Sequence, residues 1–85
     1  MICRDAIRLE SAAAQHELKL LESMQVGGTR RGVLLPALSV GVEWTLMTAK
    51  PGYWEFDGTF FGQPFYRLVI RTDAGLLTLE VQEAK

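Results

Sequence analysis

His16 is the only histidine and Cys3 the only cysteine in the sequence. A structural zinc site needs about four Cys and His ligands, so these two residues cannot build one. The acidic residues near His16, namely Asp5, Glu17 and Glu22, do not fall into a His-Glu-x-x-His spacing. His16 therefore reads as a solvated histidine. Cys3 reads as a small apolar residue with only Arg4 beside it, a thin basis for a reactive thiol. A lone cysteine also rules out an intrachain disulfide framework.

Nucleophilic catalysis has as little support. Ser11 and Ser23 fall on an expected helix and Ser39 in a loop, and none stands in a Gly-x-Ser-x-Gly elbow. Glu55 and Asp57 share a strand face, and Glu10 and Glu17 a helix face. Carboxylate pairs that hydrolyse need a substrate cleft between them, and 85 residues leave little room for one. The run Gly27-Gly28-Thr29-Arg30-Arg31-Gly32 lacks the phosphate-loop pattern. It also follows a helix instead of opening one, and a helix C-terminus repels anions. It reads as a linker whose Arg30 and Arg31 could reach a phosphate or an acidic partner. The sequence thus assigns no catalytic residue, no metal ligand and no cofactor, and the expectation is a non-enzymatic protein.

The aromatic residues are the stronger lead. Two Trp, two Tyr and four Phe all lie beyond residue 43, most of them between Tyr53 and Tyr66. Single-strand nucleic-acid binders interleave aromatic platforms with basic residues on one sheet face. Tyr53, Phe61 and Phe65 fall on the outward face of the expected strands, with Arg67 and Arg71 near them and Arg30 and Arg31 upstream. Glu55 and Asp57 share that face and would repel phosphate. With nine basic and ten acidic residues the formal charge is −1, whereas polyanion binders usually carry a basic excess. Nucleic acid is therefore the alternative partner, and protein contact the preferred one, since Trp, Tyr and Phe also anchor protein interfaces.

Residues 1–26 contain neither Gly nor Pro, and every Gly and Pro comes after them. Residues 3–25 read as one helix, rich in Ala, Leu, Glu, Gln, Lys and Arg. Gly27 is placed to close it. At helical spacing the apolar residues form two stripes. Cys3, Ile7, Ala14, Leu18 and Leu21 make one; Ile2, Ala6, Leu9, Ala13, Leu20 and Met24 make the other. A helix on a sheet needs only one stripe, so the second is either a partly exposed margin or a homodimer interface. Glu10 and Glu17 then sit at its rim, because a buried unpaired carboxylate is too costly.

Residues 26–32 read as a loop, and 33–82 as short strands with period-two alternation. Gly32 to Leu35 is a brief strand ended by Pro36. Val40 to Met47, Tyr53 to Phe61, Phe65 to Thr72 and Leu76 to Gln82 follow. Lys50-Pro51-Gly52, Gly62-Gln63-Pro64 and Thr72-Asp73-Ala74-Gly75 supply the turns, and Asp57-Gly58 marks a bulge. The inward aromatics are Trp44, Trp54, Phe56, Phe60 and Tyr66. A third function class would use Trp44, Trp54 and Phe56 to line a small-molecule pocket between helix and sheet.

The expected fold is one α+β domain over 1–85. It has an N-terminal helix and a four- to five-stranded antiparallel meander, either open or curled into a small SH3-like barrel. No apolar run approaches the ~20 residues that span a bilayer, and residues 1–5 do not resemble a secretory leader. These readings place the chain in the cytoplasm with no membrane partner. The expected function is a small protein-interaction module, homodimeric or bound to another protein.

Overall fold

The computed structural model describes residues 3–32, 34 and 41–83. Among these, the chain forms one helix and a six-stranded antiparallel sheet. The elements are β1 (Cys3–Arg8), α1 (Ala12–Ser23), β2 (Thr29–Arg30), β3 (Glu43–Lys50), β4 (Tyr53–Phe60), β5 (Gln63–Asp73) and β6 (Leu76–Glu83). The spatial order is β1-β6-β5-β4-β3-β2. The class is α+β, as expected. The sheet stays open, with β1 and β2 at opposite edges, so the SH3-like barrel alternative is corrected.

The expected helix over 3–25 shortens to Ala12–Ser23. Cys3–Arg8 is an edge strand, paired with β6 in the register Cys3↔Val81, Asp5↔Leu79 and Ile7↔Leu77. The period was ambiguous there. Residues four apart share a face on a helix and on a strand alike, so Cys3 and Ile7 point together either way. Pairing with an apolar β6 selects the strand. Ser11 starts the helix as its N-cap, its hydroxyl accepting the Ala14 N–H at 3.1 Å.

The β3–β4–β5–β6 meander follows the expected turns closely. Two-residue loops at Phe61-Gly62 and Ala74-Gly75 carry positive φ at both positions, 52° and 77° in the first and 50° and 77° in the second. That is the mark of a type I′ hairpin turn. The turn expected at Gly62-Gln63-Pro64 thus closes earlier, and Gln63 and Pro64 open β5. The expected loop over 26–32 contains β2. The brief strand expected at Gly32 to Leu35 falls largely outside the described residues, as does Val40.

The core lies between α1 and one sheet face. Trp44, Leu46, Phe56, Leu68, Ile70, Leu77, Leu79 and Val81 are fully buried. Ala14 and Leu21 close over them from the helix, with Leu18, Met24, Ile7 and Leu9 packed at the margin. Each fully buried large apolar side chain contributes roughly 1.5–3 kcal/mol. Trp44 packs closely on Gly58, where an added Cβ would lie 2.5 Å from the indole ring. Glycine at that point in β4 is a packing requirement.

Glu17, expected at a solvated rim, is instead 2% exposed in the middle of the helix's inward stripe. Arg30 of β2, opposite Trp44 in the sheet, reaches it with both guanidinium branches. Nη2 donates to Oε1 at 3.0 Å and Nη1 donates to Oε2. The carboxylate is buried because it is paired, which is the condition that makes such burial tolerable.

Candidate interaction site

Two bulges and one turn decide which large apolar side chains leave the core. Between Leu46 and Thr48 the β3–β4 register slips by one, leaving Met47 as the extra residue, half exposed. Between Gly58 and Thr59 the β4–β5 register slips as well. The bulge expected at Asp57-Gly58 on β4 is therefore corrected: it lies in the facing strand, where Phe65 of β5 is the extra residue. A bulge re-aims a side chain, and Phe65 is 45% exposed.

Phe61 sits at the first position of the β4–β5 turn, where Asn or Gly is the usual residue. Its φ is +52° and it is 89% exposed. A bulky residue in the left-handed region is a genuine outlier. The ring stands edge-on to Phe60 with centroids 4.5 Å apart, and Phe60 meets Phe65 at 6.2 Å. Phe65 adjoins Tyr66 at 6.1 Å, and Tyr66 adjoins the buried Trp44 at 6.3 Å. The hairpin thus ends in an aromatic tip that is rooted in the core at Trp44 and Tyr66 and bare at Phe61.

The recognition-face residues do not form one site. Tyr53 and Arg71 pair directly in the sheet, but Tyr53 is eight residues from Phe61 along β4, roughly 26 Å at strand rise. Tyr53 donates its hydroxyl to Glu55 at 3.0 Å, and this bond, with burial second, raises its phenol above the usual range. Arg67 faces Asp57 at 3.5 Å and Arg31 faces Glu43 at 3.8 Å. Arg30 is committed to Glu17. Most of the arginines near the aromatics thus already have carboxylate partners.

The second helical stripe also disperses. Ile2 lies outside the described residues. Ala6 is on the outer face of β1, opposite Thr78. Leu9 and Met24 pack against the core margin. Only Ala13 and Leu20 remain exposed on α1, Leu20 at 38%. Of the pocket residues, Trp44 and Phe56 are fully buried and Trp54 nearly so. Side chains from α1 fill the space between helix and sheet. A groove of about 270 Å³ opens instead beyond the helix end, bounded by Leu21, Met24, Pro51, Gly52 and Trp54. Among the described residues no group of three or more His, Cys, Asp and Glu side chains could hold a metal ion. No described helix is long and apolar enough to cross a membrane.

The aromatic cluster was visible in composition. Much of its division was visible too, because alternation turns Phe61 and Phe65 outward and Trp44, Trp54 and Phe56 inward, and the first two are exposed and the other three buried. The signal for Phe61 was the Gly62 that follows it, since x-Gly between two strands marks a two-residue turn. Comparison with protein-family models, curated proteins and solved structures finds no match for the chain.

Proposed function

We propose that this chain is a small, non-enzymatic protein-interaction module that self-associates through the aromatic tip of the β4–β5 hairpin. One observation carries the reading. The fold keeps Phe61, a large apolar residue, 89% exposed in a left-handed conformation that Asn or Gly would occupy with less strain. A strained residue whose one aromatic contact in its own chain is the edge of Phe60 points to a role outside it. Phe65, turned out by a bulge beside it, enlarges the same surface, and a central aromatic anchor with a supporting rim is how interface hot spots are built.

A second copy is the partner the surface fits best, because an exposed apolar tip on a protein of near-zero net charge has little to oppose its burial against itself. The tip carries no lysine or arginine between Phe60 and Tyr66, which gives protein contact more support than a phosphate backbone. Sedimentation equilibrium of the wild type and of Phe61→Asn tests the reading. The wild type should associate with rising concentration and the variant should not. Equal behaviour of the two would remove the tip from the interface.

A further inference from the structure

β1 is the outer strand at one edge of the sheet, and such an edge normally offers unpaired N–H and C=O groups to any other strand. Leu9 N–H donates to the Gly75 carbonyl at 2.9 Å, one register step beyond the Arg8↔Leu76 pair. In an antiparallel ladder, bonded and non-bonded pairs alternate. Odd-numbered residues of β1 therefore bond β6, and Arg4, Ala6 and Arg8 point their backbone groups away from the sheet.

Those outward groups are partly occupied. The Ala6 N–H donates to Asp5 Oδ1 at 2.8 Å. The Arg8 carbonyl accepts the Ser11 N–H at 3.0 Å. An added antiparallel strand needs both groups of the same residue, and among the described residues only Arg4 keeps both. Asp5 has a second effect. Its register position, opposite Leu79, puts it on the core side of the strand, yet it is exposed. A strand laid alongside would have to bury that carboxylate next to its own apolar face. Inward-pointing charge at an edge is a known guard against edge-to-edge pairing. On the other face, Arg4 is tied to Glu80 at 2.9 Å and Arg8 to Glu10 at 2.7 Å.

We infer that Asp5 closes the β1 edge to strand addition, so that neither a second copy nor a partner's extended segment joins the sheet there. This inference is independent of the aromatic tip and survives if that reading fails. Asp5→Val removes the acceptor and the charge and supplies a strand-favouring side chain. Its weight-average mass in sedimentation should exceed the wild type's at the same concentration by on the order of twofold or more, and the Ala6 amide should exchange more slowly with solvent. Ala6→Pro added to Asp5→Val deletes the outward N–H without touching the ladder to β6, a position where an edge strand tolerates proline. The double variant should return to the wild-type mass. Precipitation of Asp5→Val that the proline relieves is the same result in stronger form. An Asp5→Val protein with wild-type mass and an unprotected Ala6 amide would overturn the inference, as would association that the proline leaves unchanged.

Discussion

Replacing Phe61 by Asn should make the protein more stable while removing its self-association. Left-handed backbone costs a residue with a Cβ roughly 1–2 kcal/mol, and Phe61 stands at φ +52° ahead of Gly62 at +77°. Asn-Gly is the favoured dipeptide for such a turn, so the substitution recovers about 1 kcal/mol. Little burial is lost, because Phe61 is 89% exposed. What goes is the edge-to-face contact with Phe60 at 4.5 Å, worth about 0.5 kcal/mol at an exposed site. The net gain is about 0.5 kcal/mol, a rise in Tm of roughly 2–4 °C for a domain of this size. Ala74→Asn is the matched control. Ala74 holds φ +50° before Gly75 in a turn with no aromatic contact, so it should gain about 1 kcal/mol, roughly 4–8 °C, and leave association unchanged. A hot-spot aromatic contributes about 2 kcal/mol or more, and a symmetric dimer carries two copies of it, so Phe61→Asn should weaken the dimer by about 4 kcal/mol, on the order of 1,000-fold. Thermal unfolding at low concentration, where the monomer dominates, reads the stability change free of the association change. A fall in Tm with Phe61→Asn would refute the reasoning, because Phe61 would then be a packing residue of its own chain.

Glu17→Leu should destabilise the fold by about 3 kcal/mol, the low end for breaking a buried pair, since Arg30 keeps 16% side-chain exposure. Glu17→Leu with Arg30→Met should recover most of that loss, and denaturant unfolding of the three proteins checks it. Gly58→Ala places a methyl group 2.5 Å from Trp44 and should cost about 1–3 kcal/mol, with a shift in tryptophan fluorescence. The Tyr53 phenol, raised by its hydrogen bond to Glu55 and then by burial, is held neutral in the folded state. A folded value above the unfolded one means stability that is full below about pH 10 and falls as pH climbs through the folded value. Tyr53→Phe should flatten that alkaline decline, as read by unfolding at a series of pH values.

Much of the sheet was legible because its signals were local. Alternation from Trp44 to Leu46, from Trp54 to Phe56 and from Leu77 to Val81 fixed the inward face, and Gly and Pro marked the turns. The first strand was hidden for a physical reason. Cys3 and Ile7 satisfy either period, and the deciding fact, a place beside Leu77, Leu79 and Val81, is some seventy residues distant in the chain. Glu17 was misplaced because its partner Arg30 comes from a strand of only two residues, too short to leave a pattern. Ala6 and Leu9 joined the second stripe only on a helix beginning at residue 3, and they left it when the helix began at Ala12. The aromatic tip was half visible. Composition gathered the rings and alternation turned Phe61 and Phe65 outward, but the register slip at Gly58/Thr59 and the positive φ at Phe61 that shape the tip are seen only in the structure.

The central claim is that the β4–β5 tip is the contact surface. The most direct measurement follows NMR chemical shifts residue by residue through a dilution series. Concentration-dependent shifts should be largest at Phe61 and Phe65, extend to Phe60 and Tyr66, and leave α1 unmoved. Shifts centred on Ala13 and Leu20, or none at any residue up to high micromolar concentration, would contradict it.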